Sequence, residues 1–326
     1  MQLLEIDGWQ GSGKSLLWSL FDGSNSVFSS LSHEVFHYIF LNEPSALGLL
    51  TSGRMFEFRR LLTTTLHYKI EEMSLAGRRR QDFGGGSVLE IPCEFDFYEF
   101  EREFFTTAAT AGIVSPSGAC AHYYQLMRAQ SRSASLPTSP AYCAVMGLSM
   151  GGQKDYLRLL AAFPKMKVLQ VQRSPKEIIA TRKNRASEQA TIQGYGNSFG
   201  SAMRTFEYER IKLFHRRGAA LEKLLPTRCK VVRFLDLLEN TESTMRKIVE
   251  FLGIDYEDQL SLPSWNGVPL VLNGRTYLDS EYDSADQLLS ARERAHLHKR
   301  DKFERVYISF CLLRQRLGKI LTNHSR

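Results

Sequence analysis

One octapeptide near the N-terminus constrains the fold of this chain more than any other feature. Residues 8–15 read Gly-Trp-Gln-Gly-Ser-Gly-Lys-Ser, which matches the G-x-x-x-x-G-K-[ST] pattern of a phosphate-binding loop. The glycines let backbone N–H groups close around phosphate oxygens, while Lys14 supplies a positive charge and Ser15 a hydroxyl. The apolar run Leu3–Ile6 precedes the loop and a helical pattern follows it. The sequence therefore predicts a strand–loop–helix unit that binds a phosphate group.

The rest of the chain alternates between strand-like and helix-like segments. Further strands are predicted at Phe36–Leu41, Tyr142–Leu148, Lys167–Gln172 and Cys229–Phe234. Helical patterns lie around these strands, at residues 53–76, Tyr156–Phe163, Pro175–Arg182, Arg204–Leu225 and Thr244–Leu252. Such alternation predicts an α/β fold in which a central parallel sheet and flanking helices form three layers.

Residues 77–140 interrupt this alternation. Gly77–Ser87 contains three consecutive arginines and three consecutive glycines, which is the composition of a loop, and Ser131–Pro140 is rich in Ser and Pro. We therefore predict one domain over residues 1–326 that carries a variable helical cap with mobile loops at 77–140. The basic amphipathic pattern of residues 284–326 predicts a C-terminal helix or helix pair.

Composition and charge exclude several classes of protein. The chain has 42 Lys and Arg against 35 Asp and Glu, a net charge of +7, but no basic run interleaved with aromatic residues. The positive charge suits an anionic ligand, although a slightly basic solvated surface accounts for it equally, and no nucleic-acid partner is predicted. There is no run of about 18 apolar residues, so no membrane span is predicted, and Met1–Asp7 carries acids where a secretory leader would be basic and then apolar. The five scattered cysteines predict a reducing compartment, the cytoplasm, and no zinc site.

The sequence also predicts no site for a magnesium ion. An enzyme that uses Mg-ATP would need an acid at the end of an apolar strand. The predicted strands Tyr142–Leu148 and Lys167–Gln172 run into other residues, and Asp236 lies beyond a Phe-Leu step after the last strand. Instead, Arg173 follows a strand and Thr181 lies eight residues further on. A forked guanidinium and a hydroxyl at this spacing can both reach one phosphate group.

At these residues the sequence resembles the sulfotransferase superfamily. Gly11–Leu17 is similar to the family's 5′-phosphosulfate loop, which usually reads S-G-T-T/S before apolar residues. Phe163–Thr181 resembles the strand and helix with the family's 3′-phosphate motif, R-x-P-x5-S. In this chain the motif begins at Arg173, and Thr181 occupies the place of the usual Ser.

Shorter segments extend the resemblance. Val232–Leu238 and Ile248–Ile254 are similar to the family's V-R-Y-E-D-L and F-L-G-L segments. Asn42–Pro44 resembles the Glu-Pro step after the second strand of carbohydrate-type members. The resemblance therefore covers residues 1–50 and 142–275 and leaves out the middle of the chain.

The resemblance implies a sulfotransferase that uses 3′-phosphoadenosine-5′-phosphosulfate (PAPS). The sulfuryl group would pass to an acceptor hydroxyl or amine by in-line attack. No metal is needed, because loop N–H groups and a cation stabilise the leaving phosphate. The implied ligands are Gly11, Ser12, Gly13, Lys14 and Ser15 for the 5′-phosphosulfate, and Arg173 and Thr181 for the 3′-phosphate.

A base must take the proton of the acceptor. Glu43, at the exit of the predicted second strand, is the first candidate by the resemblance. His37 and His33 are alternatives, because alternate residues of one strand can face the same pocket. Lys14 is also predicted to be catalytic, together with Glu43 and His37. Its positive charge would lie at the sulfuryl group that is transferred.

Two departures from the family pattern keep other functions open. The family often has Lys or Arg just before the S-G step, where this chain has Gly11, and Lys14 stands in the place of the first Thr. Lys14 favours a P-loop kinase that uses Mg-ATP, and Gly11 favours a non-catalytic nucleotide-binding protein. The predicted partners are a nucleotide co-substrate and a small-molecule or carbohydrate acceptor. The sequence indicates neither the identity of the acceptor nor the oligomeric state.

Overall fold

A computed structural model of the chain describes residues 1–31, 36–62, 74–84, 87–131, 137, 139–147, 153–183, 201–272, 274–276, 278, 288–291 and 293–299. The chain divides into two compact units, which we describe separately. The first unit joins Met1–Arg173 to Ile211–Glu281, and the second joins Ser174–Arg210 to Tyr282–Arg326.

A sheet of five parallel strands forms the centre of the first unit. Its spatial order is β2-β5-β1-β6-β7. The strands in chain order are β1 (Gln2–Gly8), β2 (Val27–Ser29), β3 (Arg78–Gly84), β4 (Ser87–Pro92), β5 (Tyr142–Met146), β6 (Lys167–Gln172), β7 (Cys229–Arg233), β8 (Ser264–Trp265), β9 (Val268–Pro269), β10 (Val271–Leu272) and β11 (Arg275–Thr276). Strands β3 and β4, β8 and β9, and β10 and β11 pair as antiparallel hairpins outside this sheet.

Helices connect and flank the strands. The α-helices are Lys14–Leu20, Ile39–Asn42, Ala46–Thr51, Met55–Leu62, Phe97–Ala108, Pro116–Gln130, Gln153–Ala162, residues 175–183, Ser201–Leu224, Phe234–Glu239 and Thr241–Leu252, and short 3-10 helices span Phe36–Tyr38 and Asp258–Ser261. The predicted α/β fold with a central parallel sheet and flanking helices is confirmed.

Strand β1 is the middle strand of the sheet. Its residues from Leu3 to Gly8 are all buried, because β5 and β6 pair with its two edges and the helices Lys14–Leu20 and Pro116–Gln130 pack on it. The first of these helices is held in turn by a contact between the buried rings of Trp18 and Trp265, whose centroids are 4.3 Å apart. The helix Pro116–Gln130 shows that part of the segment 77–140 flanks the sheet; a cap built by the rest stays a prediction.

The chain reverses direction around β1. It first adds β2 and β5 on one side of this strand and then β6 and β7 on the other. In open parallel sheets, ligands bind beyond the carboxyl ends of the strands at such a reversal. The loop that follows β1 therefore lies where this class of fold binds its ligands.

The predicted second strand at Phe36–Leu41 is wrong. Phe36–Tyr38 forms a 3-10 helix, and an α-helix follows over Ile39–Asn42. The aromatic and branched residues favour a strand locally, but the Phe36 ring stacks on the Tyr123 ring with centroids 3.9 Å apart. This packing within an aromatic cluster overrides the local preference. The second strand is the short edge strand β2, which precedes this segment.

The predicted loop at Gly77–Ser87 is also wrong, because most of it forms the hairpin of β3 and β4. An ion pair across the hairpin joins Arg78 Nη1 to Glu90 Oε2 at 2.8 Å. Strand β3 ends at Gly84 and β4 begins at Ser87. The composition of this segment therefore gave no indication of the two strands.

Local sequence accounts for several other turns and boundaries. The Asn266-Gly267 step makes the turn of the hairpin β8–β9, with φ angles of 51° and 75° in the left-handed region. Gly253 ends the helix Thr241–Leu252 with a φ of 75°. Strand β6 has the predicted boundaries.

In the second unit the structure describes helical residues at 175–183, 201–210, 288, 291 and 293–299. Residues 175–183 form a helix in which the Lys183 ammonium contacts the Glu293 carboxylate at 2.9 Å. Glu293 N–H donates to Ser290 Oγ and Ser290 N–H donates to Glu293 Oε2, the reciprocal arrangement of a capping box. This cap begins the predicted C-terminal helix, which is described to residue 299.

Among the described residues, no helix is long and apolar enough to cross a membrane.

Candidate functional site

The loop between β1 and the helix Lys14–Leu20 has the shape that its glycines predict. Gly11 and Gly13 have φ angles of 91° and 92°, in the left-handed region where a side chain is strained. Ser12 N–H donates to Trp9 O at 2.8 Å and closes the turn. In the described part of the chain, the N–H groups of Gly13, Lys14 and Ser15 donate to no acceptor. They remain available to an anion.

Arg173 lies against this loop. The pairing of Gly8 with Val171 brings the ends of β1 and β6 together, so that the residue after β6 meets the loop after β1. Arg173 Nη1 lies 3.5 Å from Gly11 O, and the Arg173 side chain is buried. The structure therefore brings together two parts of the predicted anion site that are about 160 residues apart in sequence.

Phe234 is a third part of this arrangement, and the sequence reasoning gave it no role beyond the V-R-Y-E-D-L resemblance. Its ring centroid lies 4.8 Å from the Arg173 guanidinium carbon, and the ring is also directly beneath Gly13. A Cβ on Gly13 would come within 2.1 Å of a ring carbon of Phe234. Phe234 thus explains why the position before Lys14 has to be glycine.

The Lys14 ammonium points inward, toward the sheet. It donates to Gly147 O at 2.6 Å and lies close to the buried carboxyl groups of Asp7 and Glu5 on β1. Loss of hydration lowers the pKa of Lys14, and the two carboxyl groups oppose that shift. The loop lysine therefore has an acidic partner within the protein.

Asp7 and Glu5 lie beneath the candidate site, and the sequence reasoning did not identify them. Asp7 Oδ1 accepts from Gly8 N–H at 2.7 Å, and Tyr156 OH donates to Asp7 Oδ2. Burial raises the pKa of Asp7, and the neighbouring Glu5 carboxyl raises it further, while Lys14 lowers it. Two acids in an otherwise apolar central strand are the signal that could have identified this pair. Both Asp7 oxygens and Glu5 Oε1 accept hydrogen bonds within the protein.

His37 lies on the far side of Glu5. Its side chain is fully buried, with Nε2 3.3 Å from Glu5 Oε2, and Tyr38 OH donates to Glu5 Oε1 at 2.6 Å. His37 was predicted to be catalytic because alternate residues of a strand can face one pocket. This argument no longer applies, because the segment is helical. His33 lies outside the described residues.

The remaining predicted site residues lie elsewhere. Glu43 is exposed, in the turn that follows the helix Ile39–Asn42. No contact in the described part of the chain joins it to the loop. Ser12 is fully buried with its Oγ toward Gly8, and Ser15 is half-buried. Thr181 is half-buried in the helix 175–183. This helix belongs to the second unit, whereas Arg173 belongs to the first.

The contact between Gly13 and Phe234 predicts the effect of Gly13→Ala on stability. Both this variant and the control Gly253→Ala place a side chain at positive φ, but nothing lies within 4 Å of a Cβ at Gly253. We expect Gly253→Ala to lower the free energy of unfolding by about 1 kcal/mol, and Gly13→Ala by at least about 1 kcal/mol more. Urea denaturation of both variants measures this difference, and equal losses would contradict it. Adding Phe234→Leu to Gly13→Ala should restore part of the loss.

The raised pKa of Asp7 predicts a pH-dependent stability. Above about pH 4 the unfolded chain loses the Asp7 proton while the folded protein retains it, so rising pH favours the unfolded state. The free energy of unfolding of the wild type should therefore fall relative to Asp7→Asn as pH rises from about 4 to the raised pKa. Urea denaturation of both proteins at several pH values measures the difference. A difference that stays constant with pH would contradict the raised pKa.

The sequence model described as "Sulfotransferase family" matches residues 120–258. This range contains Arg173 and Phe234 but not the loop at 8–15. A search among curated proteins finds no match to the sequence.

Two solved structures show the same fold. The "Sulfotransferase Domain from the Synechococcus PCC 7002 Olefin Synthase" is 15% identical, with a TM-score of 0.51 and coverage of 89% of each chain. The "Sulfotransferase Domain from the Curacin Biosynthetic Pathway" is also 15% identical, with a TM-score of 0.51, and the match covers 91% of this chain and 97% of the other. The chain is therefore similar to the sulfotransferase family over residues 120–258, and it shares the fold of these sulfotransferase domains.

Proposed function

We propose that this chain transfers a sulfuryl group from PAPS to a hydroxyl or amine of an acceptor. The observation that carries the proposal is the position of Arg173 against the glycine-rich loop, with Nη1 3.5 Å from Gly11 O. A phosphosulfate on the loop and a second phosphate on the arginine are the two anionic groups that distinguish PAPS from ATP. A reducing, cytoplasmic location stays a prediction from the cysteines.

In the proposed reaction, an acceptor oxygen or nitrogen forms a bond to sulfur as the bond from sulfur to the phosphate oxygen breaks. The leaving phosphate gains negative charge, which the N–H groups of the loop Gly11–Ser15 stabilise. Lys14 adds a positive charge once its flexible side chain turns from Gly147 O toward the loop. Arg173 and Thr181 bind the 3′-phosphate and so fix the position of the donor.

We propose Glu43 as the base that takes the acceptor's proton. Its exposure supports this role, because a base has to come within hydrogen-bond distance of the acceptor. His37 is fully buried against Glu5, and an acceptor cannot reach it without a rearrangement of this packing. A carbohydrate acceptor is proposed from the Glu43-Pro44 step alone.

Binding of 3′-phosphorylated nucleotides tests the proposal. At a hundredfold excess over its dissociation constant, 3′,5′-phosphoadenosine or PAPS should stabilise the protein by about 2.7 kcal/mol, and Arg173→Ala should remove most of this effect. The control is Arg233→Ala, because Arg233 ends the neighbouring strand β7 but its side chain is 69% exposed. Thermal-shift titrations with ADP and ATP, with and without Mg²⁺, complete the comparison.

The possible results separate the three functions. A thermal shift with Mg-ATP alone would overturn the proposal in favour of a kinase. Shifts with the 3′-phosphorylated nucleotides that persist in Arg173→Ala would contradict the role of Arg173. Binding without release of 3′,5′-phosphoadenosine from PAPS, across a screen of hydroxyl and amine acceptors, would indicate a non-catalytic nucleotide-binding protein.

Substitution of Glu43 tests the proposed base. Glu43→Gln keeps the shape of the side chain but cannot take a proton, so transfer to an acceptor found in that screen should slow by about 10² to 10⁴-fold while nucleotide binding is unchanged. The matched control is Glu57→Gln, whose side chain is partly exposed on the helix Met55–Leu62. The rate of 3′,5′-phosphoadenosine release measures both. Normal transfer by Glu43→Gln would show that another group is the base.

A further inference from the structure

The contact between Arg173 and Phe234 carries an inference about how the arginine is oriented. The guanidinium carbon lies 4.8 Å from the ring centroid, within the range of a cation–π interaction. Both side chains are buried, with exposed fractions of 7% and 3%. Buried pairs of this kind are stronger than exposed ones, because water competes less for the cation.

The register of two strands places these residues side by side. Gln172, the last residue of β6, pairs with Arg233, the last residue of β7. Arg173 and Phe234 are the next residues along each strand, and they meet beyond the same edge of the sheet. Phe234 also begins the helix Phe234–Glu239, so its backbone is fixed by the strand on one side and by the helix on the other.

The same ring supports the loop. Because a Cβ on Gly13 would come within 2.1 Å of the ring, Phe234 contacts the loop backbone at the residue just before Lys14. One aromatic side chain therefore touches both the glycine-rich loop and Arg173. These are the two parts of the site that bind separate anionic groups under the proposed function.

We propose that Phe234 is a positioning residue that holds the plane of the Arg173 guanidinium for recognition of the 3′-phosphate of the nucleotide. This inference rests on the proposed function. The contact with the ring restricts how the guanidinium can rotate, and the N–H groups of a guanidinium lie in its own plane, where a phosphate can accept two parallel hydrogen bonds. An aliphatic side chain of similar size would fill the same space but would not fix that plane.

A role in packing alone makes a different prediction. If Phe234 only fills space, its replacement lowers the stability of the protein and weakens the binding of all nucleotides alike. If Phe234 orients Arg173, its replacement weakens specifically the binding of nucleotides that carry a 3′-phosphate. The ratio of affinities for 3′,5′-phosphoadenosine and adenosine 5′-phosphate isolates this effect, because the two ligands differ only in the 3′-phosphate.

Isothermal titration of these two ligands into four proteins provides the test. Phe234→Leu should lower the ratio about tenfold, which is the effect of losing a buried cation–π contact and the orientation it gives. Phe234→Tyr, which keeps the aromatic face, should retain the ratio. The control Phe104→Leu removes an equally buried ring from the aromatic cluster with Phe36 and should leave the ratio unchanged. Phe234→Met replaces the Leu variant if that variant fails to fold.

A double-mutant cycle separates a direct effect of Phe234 from one that acts through Arg173. In the Arg173→Ala background, Phe234→Leu should produce no further change in the ratio. An unchanged ratio in Phe234→Leu, or an equal further fall in the Arg173→Ala background, would overturn the positioning role. Wild-type protein without a preference for the 3′-phosphorylated ligand would overturn the proposed function, and the inference with it. A wild-type preference that survives Phe234→Leu would overturn the inference alone.

Discussion

The parallel pairing of β1, β6 and β7 is the constraint on which the candidate site depends. The register places Gly8 beside Val171 and Gln172 beside Arg233, so the residues that follow three different strands meet at one edge of the sheet. A shift of one residue in a strand would turn its side chains to the opposite face of the sheet. Both faces of β1 are buried, and the packing of its side chains against the adjacent helices opposes such a shift. The hydrogen-bonded sheet thus supplies the precision that a site made from distant segments requires.

Local sequence patterns predicted the residues at this edge of the sheet. They failed for segments whose secondary structure depends on tertiary packing. The glycine loop, strand β6 and Arg173 have strong patterns of their own, and each lies where its pattern predicts. The segment Phe36–Leu41 has an equally good strand pattern, but stacking of Phe36 on Tyr123 makes it helical. Because the partner ring is about 90 residues away, no local pattern could reveal this outcome.

The buried acids and Phe234 show a different limit of sequence reasoning. Glu5 and Asp7 interrupt an apolar strand, and this was visible, but their meaning depends on Lys14, Tyr38 and Tyr156 from other elements. Phe234 belongs to a recognisable segment, yet its contact with Arg173 follows from strand register, which a single sequence does not specify. A sequence can therefore draw attention to a residue, but assigning the role of that residue requires knowing which side chains surround it in the folded protein.

The inward position of Lys14 means that its ammonium group already has polar partners beneath the loop. An incoming anion does not meet an unpaired cation; it exchanges places with Gly147 O and the carboxyl groups beneath the loop. The affinity for an anion is then a difference between two sets of polar contacts of Lys14, one inside the protein and one with the ligand. Small anions that offer a single contact gain little from that exchange. Under the proposed function, a ligand that binds through several groups at once, as PAPS would, offsets the loss of these internal contacts better than a small anion does.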